Sequence, residues 1–286
     1  MSTPDQPAAT PGVEATQQPP VPAYLDARAA FASHYLFGEG IEIGPLHLPL
    51  AIPPHARARY VDRMTIEDLR SHYPELVDWN LTRVDIVDNG ERLATIDAES
   101  QDFIVANHFL EHTENPIGTI QTHLGKLKPG GILFYAVPDK RFTFDHRRPV
   151  TPLDHMVADY EQGPQRSRAE HYEEWTRLVP GEIHADATDE EAVARARELD
   201  AEDYSIHMHV WTQAEFLAMI LEVRARTEAA FDIEAAARQG IEFMVVLRKA
   251  GPLPEPPGAS APASTAPSPR RRLRRALRAA KRELVG

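Results

Sequence analysis

The residues best suited to chemistry fall at the ends of short apolar runs. Gly40–Gly44 closes on a glycine, Arg59–Asp62 closes on a carboxylate, and Val84–Val87 is flanked by Asp85 and Asp88. Phe103–Ala106 runs into Asn107 and His108, and Ile132–Val137 runs into Pro138 and Asp139. A glycine lets the backbone come close to a ligand. A carboxylate at Asp62 can accept hydrogen bonds from a ribose diol, and Asp85 is within reach of an adenine amino group. Further on, His207 and His209 bracket Met208 just ahead of Trp211. Imidazole has a reference pKa near 6.5 and suits proton removal at neutral pH. Two histidines alone make an incomplete metal site. His108-Phe109-Leu110-Glu111-His112 matches the H-x-x-E-H pattern of inverted zinc peptidases. It starts directly after a strand and no further ligand follows it, so Glu111 and His112 are expected to make structural hydrogen bonds and no metal is assigned.

The elements that must hold these residues alternate. Helical patterns at Thr65–Tyr73 and Pro116–Leu127 fall between the apolar runs, and Lys128-Pro129-Gly130-Gly131 gives a turn before the fifth. Short buried strands alternating with helices imply a parallel sheet covered on both faces, whose ligands bind at the strands' carboxyl ends. Residues from about 139 to 209 break the rhythm and are expected to form a mostly helical lid. Thr212 and Glu215 predict a capping box for a helix over Trp211–Arg224. Phe231–Ala237 and Ile241–Arg248 predict a hairpin turning at Gln239-Gly240. The fold expected is thus α/β: a Rossmann-like, mostly parallel seven-stranded sheet with a C-terminal β-hairpin and a helical lid insertion.

The ends of the chain differ in composition. Residues 1–22 predict a disordered leader without the basic start and apolar run of a signal peptide, residues 23–250 the folded domain, and residues 251–269 a Pro/Ala/Ser linker. Residues 270–286 hold eight basic residues against one acid, with Leu273, Leu277, Ala280 and Leu284 at helical spacing. Such a basic amphipathic helix suits peripheral contact with an anionic membrane. The whole chain of 286 residues carries a net charge of -12, so the body is acidic and nucleic acid is an unsuitable partner for it. With no cysteine, disulfides and thiolate chemistry are excluded. The location expected is the cytoplasm, with the tail able to lie at the membrane's inner face. The oligomeric state is left open.

Gly40-Ile41-Glu42-Ile43-Gly44-Pro45-Leu46-His47, Asp102–His112 and Leu127–Gly131, with Asn115-Pro116 between the last two, resemble the class I S-adenosylmethionine-dependent methyltransferases. More narrowly they resemble a bacterial group associated with glycan biosynthesis. The resemblance runs from about Tyr24 to Lys249. It implies S-adenosylmethionine as cofactor, with Glu42 and Gly44 at its methionine part, Asp62 at the ribose, Asp85 and Ile86 at the adenine, and Asn107 and His108 at the sulfonium. It also implies a small-molecule or glycan acceptor, methylated at a hydroxyl oxygen. Leu46 and Leu48 stand where that family often has further glycines.

Methyl transfer is an in-line displacement, so alignment and water exclusion come first; a hydroxyl acceptor also gains from a general base. His209, then His207 or Asp139, are the candidate catalytic residues. Lys140, Arg141, Arg147 and Arg148 could bind an anionic group. A noncatalytic module retaining the fold is the alternative. A nicotinamide oxidoreductase ranks last, because its glycine fingerprint is absent.

Overall fold

A computed structural model describes residues 23–73, 78–179, 181, 188–227 and 229–251. The leader, the basic tail and all of the proposed linker except Gly251 lie outside the described residues.

Helix α1 (Ala23–Tyr35) precedes β1 (Gly38–Ile43), β2 (Ala56–Asp62), α2 (Ile66–His72), β3 (Ile86–Val87) and β4 (Gln101–Asn107). Then come α3 (Pro116–Lys126), β5 (Leu127–Pro138), α4 (Leu153–Gln162), α5 (Arg168–Leu178), α6 (Asp189–Ala201) and α7 (Gln213–Arg226). Strands β6 (Phe231–Gln239) and β7 (Glu242–Lys249) end the described fold. The seven strands run in the order β3-β2-β1-β4-β5-β7-β6. The first five are mutually parallel, and β7 joins β5 and β6 antiparallel.

Strand periodicity divides the core between the two faces. Ile104, Leu133, Tyr135, Val137, Phe243, Val245 and Leu247 meet α3 and α7 on one face. Phe103, Val105, Ile132, Phe134, Ala136, Met244 and Val246 meet α1 on the other. Each of the Val, Leu, Ile, Met and Phe side chains among them, fully buried, contributes about 1.5–3 kcal/mol. Asn115 caps α3 by accepting from the Gly118 amide at 2.8 Å, and Pro116 pre-sets its first turn. The lid has its own small core, Tyr172, Trp175 and Leu199 among it. Among the described residues no helix is long and apolar enough to cross a membrane.

Three local expectations need correction. Strand β5 begins at Leu127, so the Lys128–Gly131 turn signal lies inside it; a register irregularity between Gln101 and Phe103 of β4 absorbs it. Strand β3 holds only two residues, and Asp85 precedes it. The box at α7 is half-formed: Thr212 makes no side-chain hydrogen bond to the helix backbone and meets the Glu215 carboxylate instead.

Candidate active site

At the carboxyl edge of β1, β2 and β4 lies a cavity of about 450 Å³. Ile43, Gly44 and Asp62 line it from the strand ends, Asn89 and Gly90 from the loop after β3, and His108 and His112 from the loop after β4. Arg168, Tyr172, Asp203 and Ser205 close it from the lid. Gly44 has φ +61, and the nearest atom an added Cβ would meet is 3.9 Å away, so the turn opens the backbone to the cavity. A Cβ on Gly90 would lie 2.6 Å from Ile43 and 2.7 Å from Phe109, so only glycine fits there.

Asp62 sits at the end of β2 on the cavity wall, and burial raises its carboxyl pKa. Glu91, also on the wall, is pushed up to about 7 by burial and then by the charge of Glu114. Arg168 pairs with Glu114, with Asp200 at 2.6 Å and with Asp203 at 2.9 Å, while Asp203 also takes Arg63 at 3.0 Å. Asp203 therefore ties the lid to the residue that follows β2. Partly exposed pairs of this kind contribute only about 0–1 kcal/mol each.

His108 has φ +49, a conformation that turns the chain sharply out of β4. Its Nε2 lies 2.8 Å from Glu242 Oε2 on β7. Arg28 on α1 donates to the same carboxylate, Nε to Oε1 at 2.7 Å. Burial would raise the Glu242 pKa, but the hydrogen bonds from Arg28 and His108 outweigh it and hold the carboxyl below its usual range. An ionised Glu242 can only accept, so His108 Nε2–H donates to it, and Nδ1 is the ring nitrogen without a hydrogen bond to Glu242.

Glu111 and His207 lie behind this wall and form a polar cluster with His112 on it. Glu111 is buried and neither carboxylate oxygen has a hydrogen-bond partner. It lies 4.0 Å from His108 Nδ1, 4.0 Å from His112 Nε2 and 3.9 Å from His207 Nε2. His112 Nδ1 faces the Ile206 carbonyl at 2.9 Å, and His207 Nδ1 faces Asp145 Oδ2 at 2.7 Å. His112 thus makes the structural hydrogen bond expected of it, whereas Glu111 does not. Leu110–His112 is a single 3₁₀ turn, so the zinc-peptidase geometry of two histidines on one helix face is absent from this motif.

Of the seven cofactor residues named from sequence, Gly44, Asp62 and His108 are on the cavity wall. Glu42 is not: it is buried beneath the loop that follows β1, accepts from the Leu50 amide at 2.9 Å, and is pushed up to about 7 by burial. Asn107 is buried behind the wall with Oδ1 unpartnered. Asp85 accepts from the Tyr60 amide at 2.9 Å, which stitches β3 to β2, and Ile86 packs on the core. Asn89 and Gly90 take the place intended for these two, because β3 begins only at Ile86, so Asp85 and Ile86 stand at its start and the loop after Val87 reaches the cavity.

None of the three catalytic candidates reaches the cavity. Asp139 is buried, caps the turn Lys140–Phe142 and is paired with Arg141 at 2.6 Å. Burial opposes its ionisation, but Arg141 holds its carboxyl below the usual range. His209 is fully buried behind the wall. His207 is one ring removed from it, against His112 at 4.7 Å between centroids. Of the four cations set aside for an anionic group, Arg148 is fully buried, donating to Asp145 at 3.0 Å and to the His207 carbonyl at 2.7 Å. The sequence did not single out Arg28 or Glu242. The signal available was Glu242 itself, an acid directly ahead of the apolar run Phe243–Leu247.

The wall suits S-adenosylmethionine. Asp62 offers acceptors for a ribose diol, Gly44 leaves room for close backbone approach, and Ile43, Leu69 and Phe109 give apolar surface for a base.

Solved structures with a related outline are remote. A SAM-dependent methyltransferase from Aquifex aeolicus is 9% identical, with TM-score 0.41, over 79% of this chain and 89% of its own. A putative S-adenosylmethionine-dependent methyltransferase from Listeria monocytogenes is 12% identical, with TM-score 0.43, over 79% and 95%. A Rhodobacter sphaeroides structure described as a putative Zn-dependent alcohol dehydrogenase is 13% identical, with TM-score 0.47, over 80% and 90%. No curated protein matches the sequence. The model of a methyltransferase-domain family matches residues 50–216, more than half of the chain. The chain belongs to this methyltransferase-domain family and is an enzyme whose cofactor is S-adenosylmethionine.

Proposed function

We propose that the chain methylates a hydroxyl oxygen of a polyhydroxylated small molecule or glycan, with His108 as general base. The observation that carries this reading is the relay Arg28–Glu242–His108, which ends on the cavity wall. When bound, the cofactor supplies a methyl group activated by its sulfonium. Asp62 takes the ribose hydroxyls, and the Gly44 turn admits the methionine part. His108 Nδ1 accepts the acceptor's proton while Glu242 holds the proton on Nε2, the division of labour by which a buried carboxylate orients a catalytic imidazole. The lid residues Arg168, Asp203, Tyr204 and Ser205 offer donors and acceptors dense enough for a sugar, and the lid excludes water. The basic residues of 270–286 would bring the enzyme to a lipid-linked acceptor at an anionic membrane surface.

The test is transfer of labelled methyl from S-adenosylmethionine to a panel of sugars, nucleotide sugars and lipid-linked glycans, by wild type and by His108→Ala. The variant is expected to bind S-adenosylhomocysteine as wild type does and to lose roughly 10²–10⁴-fold in turnover. Undiminished turnover in His108→Ala would remove it as base. Methylation confined to nitrogen or carbon acceptors would overturn the hydroxyl assignment.

A further inference from the structure

The lid contains a second constellation that methyl transfer does not use. His155 and Asp159 lie one turn apart on α4, His171 is on α5, and His209 is in the extended segment that leads to Trp211. One nitrogen or oxygen from each of the four lies within 4.8 Å of all the others. His155 Nε2 is 3.1 Å from Asp159 Oδ2 and 3.1 Å from His171 Nε2. The His209 ring is 4.8 Å, centroid to centroid, from that of His171.

We infer that His155, Asp159, His171 and His209 form a four-coordinate site for a divalent transition metal, zinc by donor set, that pins the lid together. Tetrahedral zinc holds its ligands at about 2.0–2.2 Å, which places ligand atoms roughly 3.3 Å from one another. The two separations of 3.1 Å are already at that spacing. Three neutral imidazoles and one carboxylate are borderline donors that suit zinc.

The outward-facing atoms are arranged as ligands' second atoms usually are. Ser167 Oγ donates to Asp159 Oδ1 at 2.6 Å, which leaves Oδ2 for the centre. The His171 imidazole is also hydrogen-bonded to the Met208 backbone. His209 Nε2 lies 3.4 Å from the Glu114 carbonyl, while its Nδ1 is buried without any hydrogen-bond partner. Leaving a fully buried imidazole nitrogen unsatisfied costs about 1–3 kcal/mol, and a metal bond removes that cost. Without a cation, two imidazole nitrogens facing each other at 3.1 Å must also share one proton. His207 and His209, two residues apart in the extended segment, both face α5: His207 packs on Trp175 and His209 on His171, one helical turn away. That spacing separates His207, with Asp145 and Glu111, from this site. The lid's apolar core is small, and the site joins α4, α5 and the 205–211 segment at the side of that core.

The full-length protein, produced in zinc-supplemented medium and freed of any histidine tag, is expected to carry one zinc per chain by elemental analysis. Replacement by cobalt is expected to give the intense visible absorption of a tetrahedral centre. Stripping the metal is expected to lower the melting temperature by on the order of 10 °C, reversed by added zinc. Asp159→Asn and His209→Asn are expected to lose the metal and the cobalt absorption, while His112→Ala keeps both. Wild-type protein that binds no zinc after reconstitution and shows no melting shift overturns the assignment without recourse to any variant. So does a metal that survives in His209→Asn and is lost in His112→Ala, because it would then sit at Glu111.

Discussion

Two buried carboxylates flank the same end of the sheet and are held in opposite states. Glu42, at the end of β1, accepts from the Leu50 amide and feels the charge of Arg28, yet burial outweighs both and pushes it up to about 7. Glu242, at the start of β7, is equally inaccessible, yet Arg28 and His108 hold it below the usual carboxylate range. Burial alone would raise both pKa values. Arg28 acts on both, and the difference lies in contact: Arg28 and His108 hydrogen-bond Glu242 directly, whereas Glu42 takes a loop amide and only the charge of Arg28. Glu42 therefore anchors a loop, whereas Glu242 is an anion that orients a cavity histidine.

The sharpest way to break this contrast is to remove the cation. Arg28→Met leaves Glu242 buried without its main partner, and one-sided removal of a buried pair typically costs about 3–5 kcal/mol. Urea denaturation monitored by tryptophan fluorescence measures it; a loss below 1 kcal/mol would mean that Glu242 does not depend on Arg28.

Glu242→Gln keeps the shape and removes the charge. Turnover is expected to fall on the order of 10²-fold with S-adenosylhomocysteine affinity unchanged, because the amide no longer fixes the His108 tautomer. An equal loss of cofactor affinity would show instead that Glu242 shapes the cofactor pocket.

Glu42→Gln should act in the other direction and on stability only. A group whose folded pKa is raised contributes stability below its unfolded value of 4.5 and loses it as pH rises through 7. The variant is expected to be more stable than wild type at pH 8 by roughly 1–3 kcal/mol, with little advantage at pH 4. A pH-independent difference would refute the burial account of Glu42.

A smaller effect separates the core from both. His123 is fully buried between the Tyr135 hydroxyl and the Gly90 carbonyl, each at 2.8 Å, and burial lowers its pKa to about 4. The unfolded imidazole takes a proton below about 6.5 and the folded one does not, so stability should decline as pH falls from 6.5 towards 4. His123→Gln, assayed by denaturation across that range, should flatten part of this slope.

The periodic parts of the molecule were legible in the sequence. Alternating strands, the hairpin at Gly240 and the strand-end residues Gly44, Asp62 and His108 follow from local pattern, because a parallel sheet exposes only its strand ends to ligand. What was not legible depends on contacts far apart in the chain. Arg28 meets Glu242 across 214 residues, and His209 joins His155, Asp159 and His171 only after the lid has folded. His209 has the right chemistry for a base, but folding turns it into the lid interior, off the cavity wall. Asp85 failed differently: β3 begins after it, so an acid expected at a strand's end stands at its start.

The most direct test of the account is calorimetric titration of wild type and Asp62→Ala with S-adenosylhomocysteine. Wild type is expected to bind one equivalent. Asp62→Ala, still folded, is expected to bind at least roughly tenfold more weakly, because loss of a charged hydrogen bond is worth about 1.5–3 kcal/mol. Equal affinity in the two proteins would contradict the placement of the cofactor at the end of β2, and no binding to wild type would contradict the cavity as its site.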